Sequence, residues 1–345
     1  MNISKVKNLF KNKTILITGG TGSFGKAFIE KLVKLGVCKK IIIYSRDELK
    51  QYDFANKLAK YKRNDVRFLI GDIRDRDRLF FATKGVDFIV HAAALKQVPA
   101  AEYNPFECIK TNVLGSQNVV DAAIENKVQK IIALSTDKAA LPVNLYGATK
   151  LVSDKLFTAA NNIVGSQNTS FAVVRYGNVL NSRGSLVPHL IDLKLKKAKI
   201  FPLTSHKMTR FWITLDEAID FVIESFLRMR GGEIFIPKIP SIKITDLMQA
   251  ISPGVNYKII GIRPGEKIHE LMCPIDSSLQ TLEFKNYYII LPSTTPVNIS
   301  GKYLKYENEV GKFVETNFEY RSDTNKDFLN SDRIKKFLKK NINFF

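Results

Sequence analysis

Thr14-Ile15-Leu16-Ile17-Thr18-Gly19-Gly20-Thr21-Gly22-Ser23-Phe24-Gly25 reads as an apolar strand that runs straight into a glycine turn. The run of β-branched and aliphatic residues is what a strand covered on both faces requires. Gly19-x-x-Gly22-x-x-Gly25 then permits a tight turn and close backbone approach to a pyrophosphate. The pyrophosphate would rest on the amino end of a helix expected from about Lys26, supported by the Phe28-Ile29-Leu32-Val33 spacing. A glycine triplet alone is weak; its place between strand and helix makes it a dinucleotide fingerprint.

The tip of the next strand selects the dinucleotide. Lys40-Ile41-Ile42-Ile43-Tyr44 is that strand, followed by Ser45-Arg46-Asp47-Glu48-Leu49-Lys50. A carboxylate at such a tip accepts from a ribose 2′-hydroxyl, whereas an Arg accommodates a 2′-phosphate. Ser45, Arg46 and Lys50 therefore favour NADP over NAD. Asp47 and Glu48 keep NAD open unless they serve the amino end of the following helix.

Val66-Arg67-Phe68-Leu69-Ile70 is a third strand, ending at Gly71-Asp72-Ile73, with Asp72 placed to reach an adenine. Val86 to His91 is a fourth, entering Ala92-Ala93-Ala94, where small residues either let a cofactor lie against the strand ends or simply pack tightly. Lys96 and Glu102 follow in a loop that could overhang a substrate. This alternation predicts an α/β fold, a doubly wound parallel sheet over residues 1–180. Beyond ~180 the prolines at 188, 202, 237, 240, 253 and 264 break the chain into short pieces. A smaller substrate-binding lobe is expected over 181–280, and a segment 281–345 that packs on the lobe, the sheet or another subunit. Ser241 to Met248 reads as a strand leading into a capped helix.

Lys130-Ile131-Ile132-Ala133-Leu134-Ser135 is a buried strand, and Thr136-Asp137-Lys138 sits at its carboxyl end. Pro142 and Asn144 mark a turn into a helix carrying Tyr146-x-x-x-Lys150, whose i, i+4 spacing puts phenol and ammonium on one face. There the Lys150 charge would lower the phenol pKa and make it a base near neutrality. One pocket thus gathers a hydroxyl, a carboxylate, two amines and a phenol. Lys138 also has a plainer reading, a loop charge paired with its neighbour Asp137.

The 345 residues suit about two domains, and 45% hydrophobic residues support a sizeable core. The scattered Cys38, Cys108 and Cys273, like the four dispersed histidines, lack metal or redox spacing, so no metal is expected. A reducing, cytoplasmic setting is expected, with no signal peptide and no run long enough to span a bilayer. The net charge of +20 raises nucleic acid as a partner. The densest lysine clusters, Lys194 to Lys199 and Lys335 to Lys340, read more simply as solvated faces of amphipathic helices. Neither nucleic acid nor membrane is therefore expected as a partner; anionic nucleotide ligands are.

With these residues in view, the chain resembles the extended short-chain dehydrogenase/reductases, and more narrowly the inverting UDP-N-acetylglucosamine 4,6-dehydratases of pseudaminic acid biosynthesis. The resemblance spans about residues 10–330. It rests on the glycine turn and on Tyr44 to Lys50, His91 to Lys96, Ser135 to Ala140 and Tyr146 to Lys150. Arg175-Tyr176-Gly177-Asn178-Val179, Met208-Thr209-Arg210-Phe211-Trp212 and Arg263-Pro264-Gly265-Glu266-Lys267 complete it and include the most specific blocks. Leu141 departs from the family, which commonly has Asn there.

The resemblance implies cofactor contacts from Gly19, Thr21, Gly22, Ser23, Phe24, Gly25, Ser45, Arg46 and Lys50. Asp72, Ile73, Ala92, Lys96, Tyr146, Lys150, Val179 and Arg183 extend that set. Substrate contacts are implied for Lys96, Ser135, Asn178, Leu186, Thr204, Arg210, Arg263 and Glu266, with Arg210 and Arg263 near the diphosphate or uridine. Tyr146, helped by Lys150, would take the sugar 4-hydroxyl proton. Thr136 would orient the 4-oxygen. A neutral Lys138 would take the C5 proton, and a protonated Asp137 would release the 6-hydroxyl as water. The substrate implied is UDP-N-acetylglucosamine, the product its 6-deoxy-4-keto L-arabino derivative, and the assembly a homo-oligomer, dimer to hexamer, with one interface near Ser153, Leu156 and Phe157. Retaining dehydratases carry Asp-Glu where this chain has Asp137-Lys138. A retaining dehydratase or a C4 epimerase remains the alternative, and a non-catalytic NADP-sensing protein a third.

Overall fold

The computed structural model describes residues 2–180, 185–293, 301–306 and 309–341. Six strands run in parallel: β1 (Thr14–Thr18), β2 (Lys40–Ser45), β3 (Val66–Ile70), β4 (Phe88–His91), β5 (Lys130–Thr136) and β6 (Ser170–Tyr176). Their spatial order is β3-β2-β1-β4-β5-β6. Sequence order reverses between β1 and β4, where Thr18 pairs with His91. The crevice beyond these strand ends is where such sheets bind ligands. Ile15, Leu16 and Ile17 of β1 are fully buried, each contributing about 1.5–3 kcal/mol of apolar burial.

The helix that follows β1 spans Ser23–Leu35, beginning three residues before the expected Lys26 because Gly22 is its amino cap. Gly36, at φ +71°, ends it. On the other flank, β7 (Asn178–Val179), β8 (Ile200–Leu203) and β9 (Thr209–Ile213) precede β10 (Ile234–Pro237), which joins β6 in parallel. β11 (Ser241–Lys243), β12 (Asn256–Ile259) and β13 (Leu271–Cys273) come next. β14 (Thr281–Glu283) and β15 (Tyr287–Ile290) then extend the large sheet antiparallel beyond β10.

β9 is the hub of a second sheet, pairing with β7 and β11. Around it a separate apolar cluster forms from residues including Leu190, Trp212, Leu247 and Ile251, and Ile334 and Leu338 of the helix Ser331–Asn341 seal it. The helix after β11 runs Ile244–Ile251 and has no side-chain cap, contrary to the expected capped start; Lys243 at its N-cap cannot accept from the backbone. The lysine cluster 194–199 is helical only through Leu195. Of the three residues expected near a subunit interface, Ser153 and Phe157 are buried within the chain, Phe157 against His91 and Phe171, and belong to the core, while Leu156 is half-buried. Among the described residues no helix is long and apolar enough to cross a membrane.

Candidate active site

The turn after β1 is shaped by what it excludes. Gly19 has φ +64°, and a Cβ there would lie 2.8 Å from the Ala93 nitrogen. A Cβ on Gly25 would lie 2.6 Å from the Gly20 Cα. Both positions need glycine, and the backbone surface they leave bare opens onto a cleft of about 960 Å³. That cradle at a helix amino end fits a nicotinamide dinucleotide.

At the tip of β2, Asp47 caps the Glu48–Leu58 helix by accepting from the Lys50 amide at 2.9 Å, and its carboxylate also meets the Lys50 amine. Arg46 lines the cleft, 3.6 Å from Asp72, which also pairs with Arg74 at 2.7 Å. Burial would raise the Asp72 pKa, but the two guanidiniums outweigh it and hold the carboxyl below its ordinary range. Ser45 is buried, and its hydroxyl accepts from Gln51 at 3.0 Å.

Across the cleft, the end of β5 carries the reactive side chains. Asn144 caps the following helix, accepting from the Gly147 amide at 2.8 Å, and reaches the Gly265 carbonyl at 2.7 Å. A Cβ on Gly147 would collide with the Lys138 carbonyl oxygen, so glycine lets the Tyr146 helix approach the Asp137–Lys138 turn. Thr136 donates to Asp137 at 3.0 Å. Burial pushes the Tyr146 phenol up to about 12, opposed mainly by Lys138 and then by Thr136. The phenol is thus raised rather than lowered toward neutrality as expected, and Lys150 is itself buried, which drives its own pKa down, with Asp154 opposing.

Lys138 lies 3.0 Å from Asp137 and 3.1 Å from Glu270. Burial would make it neutral, as the sequence reading assumed, but these two carboxylates prevail and hold it as an ammonium above the ordinary lysine range. Asp137 is completely buried; burial raises its pKa, and Glu270 adds to this against the pull of Lys138. Its second oxygen, Oδ2, is buried and has no partner among the described residues; the same holds for the amide oxygen of Asn178. Both are free for a ligand.

All the anticipated contacts in the turn, at the tip of β2, and among Asp72, Ile73, Ala92, Lys96, Ser135, Tyr146, Lys150, Asn178 and Val179 line this one cleft. Ser135 donates to Asp154 at 2.8 Å, and Asp154 is paired with Arg175. Leu186 and Arg210 instead line a side pocket that shares Asn178 and Val179 with the cleft. The Arg210 guanidinium donates to the carbonyls of Thr209, Lys267 and Ile268 and stands 3.5 Å from Glu270. Thr204 donates to Glu266 at 3.2 Å, and Arg263 is exposed; none of these three lines the cleft. Arg183 lies outside the described residues.

Glu270, to which sequence reasoning gives no role, is the acid that completes the cluster. A carboxylate directly before the apolar Leu271-Met272-Cys273 of β13 was the available signal. Asn112 is a second omission: within a π-helical turn, Lys110–Leu114, it clamps the backbone of Leu95 through two 2.8 Å bonds at the floor of the cleft loop.

The sheet order, glycine turn and Tyr146–Lys150 helix define an extended short-chain dehydrogenase/reductase, an enzyme built to hold a nicotinamide cofactor. Comparisons agree. The polysaccharide biosynthesis protein family matches residues 15–292. An inverting UDP-N-acetylglucosamine 4,6-dehydratase of Campylobacter jejuni is 55% identical over 318 residues, covering 92% of this chain and 94% of that one. A UDP-glucose 4-epimerase of Rickettsia akari is 41% identical over 96% of both chains. The structure of Pen from Bacillus thuringiensis superposes with a TM-score of 0.85 at 36% identity, over 96% of this chain and 98% of that one. The chain belongs to this polysaccharide biosynthesis family.

Proposed function

We propose that the chain catalyses NADP-dependent 4,6-dehydration of UDP-N-acetylglucosamine with inversion at C5, giving the 6-deoxy-4-keto L-arabino sugar nucleotide that opens pseudaminic acid biosynthesis. The observation that carries this reading is the Asp137–Lys138 pair, 3.0 Å apart in the cleft that also holds Tyr146. An acid and an amine base side by side suit removal of the C5 proton and departure of the 6-hydroxyl. The named activity of the 55% identical Campylobacter relative supports the same reaction.

In this reading Thr136 orients the sugar 4-oxygen and Tyr146 receives its proton. Lys138 takes the C5 proton from one face, and a proton returned to C5 on the opposite face, once C6 has gained hydride, completes the product and inverts C5. Asp137 gives a proton to the departing 6-oxygen, which leaves as water. When bound, the nicotinamide supplies a hydride acceptor for C4 and a hydride donor for C6. Arg46 and Lys50, which line the cleft at the tip of β2, would hold a 2′-phosphate, while Gly19, Gly22 and Gly25 give the pyrophosphate its backbone seat. The side pocket by Leu186 and Arg210 would receive the uridine end, with Glu266 3.7 Å from Arg210 and accepting from Thr204 and the Arg263 amide. A cytoplasmic homo-oligomer belongs to this reading, with the exposed Tyr103 and Phe106 as candidate subunit contacts.

The epimerase name of the Rickettsia relative makes C4 epimerisation the second reading. An epimerase has no use for an acid–base pair beside Tyr146. The Lys138→Ala variant separates the two: it should abolish C5 proton exchange and dehydration while cofactor binding stays intact. Full dehydration by that variant would remove Lys138 as the base.

A further inference from the structure

Lys138 sits between two buried carboxylates. Asp137 Oδ1 is 3.0 Å from its amine and Glu270 Oε1 is 3.1 Å from it. Glu270 is only 2% exposed, and its backbone is pinned to Ser322. Its backbone amide donates to the Ser322 hydroxyl at 2.9 Å, and its carbonyl accepts from the Ser322 amide at 2.9 Å. β13 beside it pairs with Tyr320–Arg321. The C-terminal segment therefore fixes an acid under the reacting amine.

Dehydration needs Lys138 bare and Asp137 protonated, whereas in the free site Lys138 is an ammonium paired with Asp137 at 3.0 Å. The two arrangements contain the same single proton, moved from Nζ to Oδ1 along the 3.0 Å hydrogen bond. Elimination restores the starting state: the Asp137 proton departs with the 6-oxygen as water, and Lys138 gains the proton from C5. The pair must keep one proton throughout. With none, Asp137 has nothing to give; with two, Lys138 cannot accept.

We propose that Glu270 is a positioning residue whose fixed negative charge keeps that one proton on the Asp137–Lys138 pair. This rests on the dehydratase reading above. The charged groups facing the pair are Glu270 itself, Arg210 from β9, Lys267 from the preceding turn, and Tyr146 from the adjoining helix. Those facing Glu270 are Lys138, Arg210 and Lys267. Burial would raise the Glu270 pKa, but Lys138 and Arg210 reverse that and keep it ionised.

The test is the pH profile of C5 exchange at saturating UDP-N-acetylglucosamine, for the wild type, Glu270→Gln and Lys267→Met. Losing a negative charge weakens proton binding by both members of the pair, so Glu270→Gln moves both limbs to lower pH, by about one unit. Lys267→Met removes a positive charge and moves both limbs upward. Ser322→Ala keeps every charge and lowers the plateau without moving the limbs. A purely structural Glu270 would lower the plateau alone, and unmoved limbs in both charge variants overturn the proposal. Reductive methylation of Lys138, followed by peptide mass spectrometry, reads the amine without any turnover. At fixed pH Glu270→Gln should raise its rate about tenfold. If the wild type makes no 6-deoxy product, the dehydratase reading fails, and an unchanged methylation rate would sink the Glu270 inference separately.

Discussion

Asp47 caps the helix beginning at Glu48 by accepting from the Lys50 amide, 2.9 Å away, while Arg46 lines the cleft beside it at the tip of β2. Of the two acids that kept NAD open in the sequence, Asp47 caps its own helix and Glu48 lies in that helix's first turn. Arg46→Ala should therefore weaken NADP binding about tenfold to a hundredfold, the worth of one charged hydrogen bond. NAD binding should barely change. Titration of both cofactors decides it; equal losses would show that Arg46 does not read the 2′-phosphate.

Tyr146→Phe should lower formation of the 4-keto sugar by about 10²–10⁴-fold, the range for losing a positioned proton acceptor. Because burial lifts the phenol to about 12, the free enzyme holds Tyr146 protonated at neutral pH. Activity should therefore rise with pH on its acid side. A flat acid limb in the wild type would contradict this.

Leu141 adopts φ +45° and is half exposed, a left-handed backbone that costs a leucine about 1–2 kcal/mol. The family's usual Asn is one of the residues that tolerate that conformation. Leu141→Asn or Leu141→Gly should raise the unfolding free energy by about 1 kcal/mol, read as a higher denaturation midpoint, without changing turnover. Chemical denaturation followed by circular dichroism measures it, and an unchanged midpoint would mean the turn carries no strain.

His91 is buried between Thr18, 2.9 Å from its Nδ1, and Ser116, and its pKa is driven down to about 3 by burial, with Lys150 adding to this. The folded state keeps it neutral while the unfolded chain protonates it near 6.5. Its contribution is complete above about 6.5 and is lost as pH falls toward about 3. Stability measured across that window should decline, and His91→Gln should flatten the decline. An equal slope in the variant would assign the loss to other groups.

Local patterns made most of this legible. The Gly19–Gly25 turn, the β2 tip and the Thr136 to Lys150 block are short segments whose spacing alone fixes strand, turn and helix face, and the structure brings them to one cleft. What the sequence hides is long-range. Glu270 matters only because β13 pairs with Tyr320–Arg321 and sets the acid under Lys138. The charge on Lys138 follows from two carboxylates, one of them far off in sequence, so burial alone pointed the wrong way. Ser153 and Phe157 looked available for a partner because helical spacing does not say which neighbour covers a face; here Ser116 meets Ser153, and His91 and Phe171 cover Phe157.

In the proposed reaction this cleft dehydrates UDP-N-acetylglucosamine and inverts C5. The most direct measurement is proton NMR of that sugar nucleotide incubated with the purified protein in D2O, with NADP supplied. The account predicts a new 6-methyl signal, deuterium at C5 and L-arabino couplings. A 6-methyl product that retains the C5 configuration, or a C4 epimer with no 6-methyl signal, would contradict it.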